Sequence, residues 1–341
     1  MTAALRSTRV VEGATGLSPD ALLADDRPVI LRGLAADWPL VAAGREGADA
    51  AIGYLKRFDA GRQVVGYTGE PAIGGRYFYR DDWSGLNFEA KRVALSDYLD
   101  QIAAHRADPS PPSFYVGSTD LDTYLPGLSA ENGLAFPDPP LGRDPPLVSI
   151  WIGNRTIAAT HYDMSNNLAC CLVGRRRFTL FPPDQVANLY PGPLEPTPGG
   201  QVVSMVDLRA PDLDRHPRFA DALATAEVAE LEPGDVLFYP ALWWHNVEAL
   251  DGFNVMINYW WNAVAAFADT PMTTLLHGIL SLRDRPSAEK RAWAALFDYY
   301  VFADSARAAA HLPAGVRGDL DPLDGRAARR LRARITERLN R

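Results

Sequence analysis

The chain holds only two cysteines, and they are adjacent, Cys170 and Cys171. That is no disulfide framework, and it points to a reducing compartment. No apolar run reaches the ~18 residues a membrane helix needs, so no spanning segment is expected. The opening stretch MTAALRSTRVVEGATG lacks the apolar core of a secretory signal, and the expected location is the cytoplasm. Lysine is scarce: of 34 basic residues only Lys56, Lys91 and Lys290 are lysines. Positive charge is in deficit overall. A net charge of −8 speaks against a dedicated nucleic-acid binder. Internal repeats are absent. What remains is globular in character, with 341 residues, 47% hydrophobic and 22% charged. That length suffices for one large domain with appendages or for two domains.

The pattern along the chain changes twice. Residues 1–110 mix short helical and strand signals. Within them, Arg27-Pro-Val-Ile-Leu-Arg-Gly33 reads as a buried strand ending in a glycine turn, and residues 96–105 as a short helix. Residues 126–147 are rich in Pro and Gly, a long loop expected to cross the surface or cover a site. From Leu147 to about Asn262 come short runs rich in β-branched and aromatic residues, among them VSIWIGN, RRFTLFP and FNVMINYWW. Such runs, punctuated by Gly and Pro, favour a sandwich or barrel. Beyond Ala263 apolar residues recur at helical spacing. The expected organisation is an N-terminal mixed α/β segment (1–110) packed on a β core (111–265), followed by a helical region (266–341). The last helix sets Ala328, Leu331, Ile335 and Leu339 on one face and arginines elsewhere. We read it as a solvated face over a packing stripe, with a nucleic-acid contact as the sharper alternative.

The chemistry concentrates at Thr160-His161-Tyr162-Asp163. On a strand, residues i and i+2 share a face, so His161 and Asp163 can chelate one ion. A lone His-x-Asp is weak, because a core histidine beside a carboxylate looks the same. His245 strengthens it, at the end of EPGDVLFYPALWWH, where a Pro-Gly turn launches a second apolar strand. Two imidazoles and one carboxylate on one face of a metal leave positions open, which suits a non-haem Fe(II) oxygenase. His105, His216, His277 and His311 lie in helical or polar loop contexts and are assigned structural or surface roles.

Two stretches, HYDMSNNLACCLVGRRRFTLFPPDQVANLYPGP (161–193) and EPGDVLFYPALWWHNVEAL through NVMINYWW (232–261), carry a family resemblance. They resemble the cupin-like branch of the JmjC superfamily, the type of the hypoxia-inducible-factor asparaginyl hydroxylase. PVILRGLAADWP near the N-terminus resembles that family's opening. The resemblance implies a mainly β fold with flanking helices. Its core would be a double-stranded β-helix, or jelly roll, preceded by mixed α/β structure and followed by C-terminal helices that serve as a dimer interface. It implies Fe(II) on His161, Asp163 and His245, and 2-oxoglutarate as co-substrate. The family's lysine for the far carboxylate falls on Arg176 here, and guanidinium can clamp a carboxylate through two parallel bonds. Tyr115 matches a tyrosine on the same carboxylate, Asn167 and Asn258 two asparagines near the co-substrate, and Trp260 an aromatic beside the site. One position departs. The threonine three residues before the first ligand is Ala158 here, leaving Thr160 or Thr156 to supply a hydroxyl.

The expected activity is hydroxylation of a C–H bond in a protein or peptide side chain or a small molecule, with the aromatic cluster Trp243, Trp244, Trp260 and Trp261 and the 126–147 loop as candidates for the substrate mouth. A 2-oxoglutarate-independent metal-dependent cupin enzyme and a non-catalytic cupin binding module are the competing readings. A tRNA hydroxylase ranks lower. The expected assembly is a homodimer through the C-terminal helices, without membrane or bulk nucleic-acid partners.

Overall fold

A computed structural model describes residues 5–13, 19–135, 145–304 and 306–340. The chain divides into two compact units, Met1–Ala263 and Val264–Arg341.

The first unit is mostly β. Eight strands between Leu147 and Trp261 pass back and forth between two sheets. Leu147–Gly153, Asn166–Val173, Val236–Tyr239 and Asn254–Trp261 belong to a nine-stranded sheet. Ile157–Tyr162, Arg176–Phe181, Glu227–Leu231 and Trp244–Ala249 belong to a six-stranded one. This is the jelly-roll arrangement expected from the sequence. The N-terminal residues extend both sheets: Arg9–Glu12, Val29–Arg32, Gln63–Gly69, Phe88–Ala94 and Ser113–Asp120 lengthen the large one, and Arg6–Ser7 and Arg76–Tyr77 flank the small one.

Alternation along each strand sorts the side chains. On Arg176–Phe181, Phe178 and Leu180 face inward with Ala169, Cys171, Leu231, Leu237 and Met256 to fill part of the space between the sheets. Arg177, on the other face, pairs with Glu230 in solvent. Leu168, Cys170, Leu172, Val255, Ile257 and Tyr259 project from the outer face of the large sheet onto the N-terminal helices, including Pro39–Glu46, Ala48–Lys56 and Leu95–Ala104. Phe181 and Trp244 leave the outer face of the small sheet and meet Leu189, Val206 and Phe219 from the segment between its strands.

Two glycine turns fix where the site strands begin. Gly174 has φ +69°, and a Cβ there would lie 2.3 Å from Asn254 Oδ1, so only glycine permits the tight turn into Arg176. Gly234 of the Pro-Gly turn has φ +106° and abuts the Ala36 backbone. Next to it, Asp235 accepts bonds from the backbone N–H groups of Gly33 and Glu232, 3.0 and 2.8 Å long.

The second unit contains the helices Pro271–Leu282, Ser287–Phe297 and Gly325–Leu339. Within the stretch of helical spacing beyond Ala263, Ser287–Phe297 passes into a π-helical turn at Asp298–Phe302, closed by Ala303 N–H on the Asp298 carbonyl. No helix among the described residues is long and apolar enough to cross a membrane.

Candidate metal centre

His161 and His245 sit directly opposite each other on neighbouring antiparallel strands, their ring centroids 4.3 Å apart. Asp163 follows one residue past the end of its strand, with Oδ2 3.6 Å from His245 Nε2. One donor atom from each of the three lies within 4.8 Å of the others, a group that can hold a metal ion.

The histidines are held in the form a metal requires. His161 Nδ1–H donates to the Ala159 carbonyl at 2.8 Å, and His245 Nδ1–H to the Trp243 carbonyl at 2.9 Å. A carbonyl only accepts, so in each neutral ring Nδ1 carries the proton and Nε2 keeps its lone pair. Burial lowers the pKa of His245 to about 4, with the neighbouring His161 adding to the shift and Asp163 opposing it. Its imidazole is therefore neutral at neutral pH, as a ligand must be.

The triad opens into a cavity of about 400 Å³ between the sheets. Arg176 lines the same cavity, 2% exposed. It makes no ion pair among the described residues, and its Nε is buried without a hydrogen-bond partner. Burial lowers its pKa, an effect that Cys171 and Tyr115 oppose. A buried cation without a counter-charge is costly and calls for an anion from outside the chain. Tyr115 is on the wall as well, its pKa raised by burial so that the hydroxyl stays protonated and can donate. An open two-His, one-carboxylate face and an unpaired buried guanidinium thus share one chamber, and this fits an iron with a dicarboxylate co-substrate.

Asn167, Asn258 and Trp260 gather around the same chamber. Asn258 and Trp260 line it, and Asn167, fully buried, donates to Asp163 Oδ2 at 3.2 Å. Other residues fall elsewhere. Thr160 is adjacent to His161 and so lies on the opposite strand face, outside the cavity lining. A bulge in the pairing, between His245↔His161 and Val247↔Ala158, restores Ala158 and Thr156 to the inner face. Of the two hydroxyls available, Thr156 lines the cavity. Trp243 packs with Phe178, Leu180 and Met256, and Trp244 with Phe181 and Phe219. Trp261 turns outward onto Phe238, their centroids 6.0 Å apart. Of the four tryptophans only Trp260 reaches the cavity. Of the stretch expected as a loop, 126–147, residues 136–144 lie outside the described residues. The rest is not all loop, since Leu128–Glu131 is a short helix with Leu128 buried in the core, and none of its described residues lines the cavity. His216, away from the triad, packs edge-on to Tyr190, centroids 4.8 Å apart.

Sequence reasoning missed Trp151, Tyr67, Tyr77, Tyr239 and the segment 197–201, all on the cavity wall. Trp151 and Tyr239 share the face of Asn258 and Asn167 only through the pairing of their strands, which the sequence does not declare. Tyr67 and Tyr77 come from N-terminal strands whose pairing the sequence does not declare.

The cupin-like domain family matches residues 16–267. Lysine-specific demethylase 8 of Xenopus tropicalis is 25% identical over 251 residues, covering 71% of this chain and 50% of that protein. An HSPB1-associated protein 1 homolog of Danio rerio is 39% identical over 121 residues, 35% of this chain and 26% of the relative. The tRNA wybutosine-synthesizing protein 5 of Danio rerio is 38% identical over 102 residues, 30% and 28% of the respective chains. The chain thus spans half or less of the length of these relatives. It belongs to the cupin-like domain family, of the JmjC type its motifs resemble.

Proposed function

We propose that the chain is an Fe(II)- and 2-oxoglutarate-dependent oxygenase that hydroxylates a C–H bond of a protein or peptide side chain, or of a small molecule. The observation that carries this reading is a buried, unpaired guanidinium in the same chamber as the open His161–Asp163–His245 face. Iron bound there with 2-oxoglutarate would supply the oxidising chemistry. The chain's own residues do the rest. His161, Asp163 and His245 hold the metal from one side and leave the cavity side free. Arg176 receives the far carboxylate of the co-substrate, and Tyr115 adds a neutral donor near it. Tyr67, Tyr77, Trp151 and Trp260 wall the chamber against water. Orientation by these fixed groups is the protein's main contribution to rate.

Apart from the triad and Arg176, the described lining carries no charged side chain. That supports an uncharged target group. The relatives named as lysine-specific demethylases support a protein substrate, and the wybutosine relative keeps RNA as a second, weaker reading.

The test is release of succinate from 2-oxoglutarate by Fe(II)-loaded protein in air. Succinate is expected from the wild type and not from Asp163→Ala. Tight metal binding without succinate would contradict the reading and bring forward a 2-oxoglutarate-independent cupin enzyme.

A further inference from the structure

We propose that Trp151 is a positioning residue for the Asp163 carboxylate, acting through Asn258 and Asn167. The inference rests on the reading of His161, Asp163 and His245 as metal ligands.

Three hydrogen bonds join these side chains in series. Trp151 Nε1–H donates to Asn258 Oδ1 at 2.6 Å, Asn258 Nδ2–H to Asn167 Oδ1 at 3.2 Å, and Asn167 Nδ2–H to Asp163 Oδ2 at 3.2 Å. The direction of the series is set by its two ends. Indole N–H can only donate, and an ionised carboxylate can only accept. Each amide between them is therefore held in one of its two orientations, oxygen toward Trp151 and nitrogen toward Asp163. Without the indole, Asn258 could invert and withdraw its N–H from Asn167 Oδ1, leaving Asn167 held only from its nitrogen side, by the Ser165 carbonyl at 3.1 Å and by Asp163.

The placement follows from strand parity. Trp151, Asn258 and Asn167 occupy inward positions on three neighbouring strands, Leu147–Gly153, Asn254–Trp261 and Asn166–Val173. Asn167 and Asn258 are 0% and 2% exposed, so water does not compete for their amides. Asp163, by contrast, lies beyond the end of its strand with its side chain 17% exposed. Its backbone is held by one bond, the Leu242 N–H to its carbonyl at 2.8 Å, and the hydrogen bond from Asn167 bears on the rotation of the carboxylate itself. Groups that orient a metal ligand from behind govern affinity and coordination geometry.

Trp261 provides an internal control. Its indole nitrogen is also buried but has no hydrogen-bond partner among the described residues. Removing it changes an aromatic side chain of the same kind without cutting the series.

The experiment is Co(II) titration of the full chain by calorimetry, with the visible spectrum of the Co(II) complex as the report on coordination geometry. Trp151→Phe keeps the ring and deletes the donor. It is expected to lower Co(II) affinity roughly 10- to 100-fold and to alter the visible bands, while Trp261→Phe matches the wild type. Wild-type affinity and spectrum in Trp151→Phe would overturn the inference while leaving the metal reading intact. Absence of Co(II) binding in the wild type would instead overturn the metal reading, and this inference with it. Should Trp151→Phe fail to fold, Asn258→Ala cuts the same series at its middle, and the same two results decide.

Discussion

The two compact units dispose of their apolar side chains in opposite ways. In the first, strands present one face to the space between the sheets and the other to covering helices or loops, and residues such as Phe178, Leu180 and Ile257 are fully buried. In the second, Pro271–Leu282 and Ser287–Phe297 contain no buried residue. Leu275, Leu276, Leu280, Trp293 and Leu296 are exposed, Leu280 to 79%. Both regions carry strong apolar periodicity in sequence. The difference is that a strand within a closed pair of sheets finds its cover in the same fold, whereas an amphipathic helix states only that some cover is needed.

That contrast gives its sharpest prediction in stability. Phe178→Ala should cost about 3–5 kcal/mol, because the space between the sheets cannot collapse around the void. In the monomer, at concentrations too low for self-association, Leu280→Ala should cost less than about 0.5 kcal/mol, as expected of an exposed position. Urea unfolding of the two variants checks both; similar losses would erase the contrast.

Arg176 breaks the pattern inside the first unit, since it is a buried charge with no ion-pair partner among the described residues. If it serves a ligand rather than the fold, Arg176→Met should unfold no more easily than the wild type and gain up to about 3 kcal/mol. The same variant should bind 2-oxoglutarate roughly 100-fold more weakly, the loss of two charge-assisted hydrogen bonds of ~1.5 kcal/mol each. Thermal unfolding and calorimetry, read together, separate the two roles. A destabilised variant that still binds 2-oxoglutarate would mark Arg176 as structural.

A homodimer formed through the C-terminal helices would cover the exposed leucines. It predicts that the wild type scatters light as a dimer at micromolar concentration and that Leu280→Glu dissociates it. A wild-type monomer would contradict it.

The smallest effect concerns the hairpin leading to Asn254–Trp261. Burial pushes the Asp251 pKa up, but hydrogen bonds from the Arg175 side chain and backbone outweigh it, so the carboxyl titrates below its ordinary 3.8. A folded pKa below the unfolded one adds stability above that range and loses it as pH falls through the lowered value. Asp251→Asn should therefore lower the urea midpoint slightly at pH 6 and not at all in strong acid.

Much of the site was legible in the sequence because strand alternation is strict. His161 and Asp163 lie two residues apart on one face, and Arg176, reached through the family resemblance, falls inward with Phe178 and Leu180. The Pro-Gly turn announces only Val236–Tyr239; His245 sits near the start of the next strand, Trp244–Ala249, in the other sheet. Thr160 shows where that logic stops. The bulge opposite Asn246 shifts the parity between Ala158 and His161, and no local sequence signal marks it. The tryptophans show a second limit. Trp243, Trp244, Trp260 and Trp261 are alike in composition, and only their place on each strand decides that Trp260 alone meets the cavity. Trp151 shows a third, since its role depends on partners about a hundred residues away, brought close only by sheet order.

The most direct measurement is anaerobic titration of the Fe(II)-loaded chain with 2-oxoglutarate, following the weak visible charge-transfer band of the chelate. The account predicts a band in the wild type, none in His161→Ala, and a much weaker one in Arg176→Ala at the same co-substrate concentration. A wild-type protein that binds iron yet shows no band at saturating 2-oxoglutarate would contradict it.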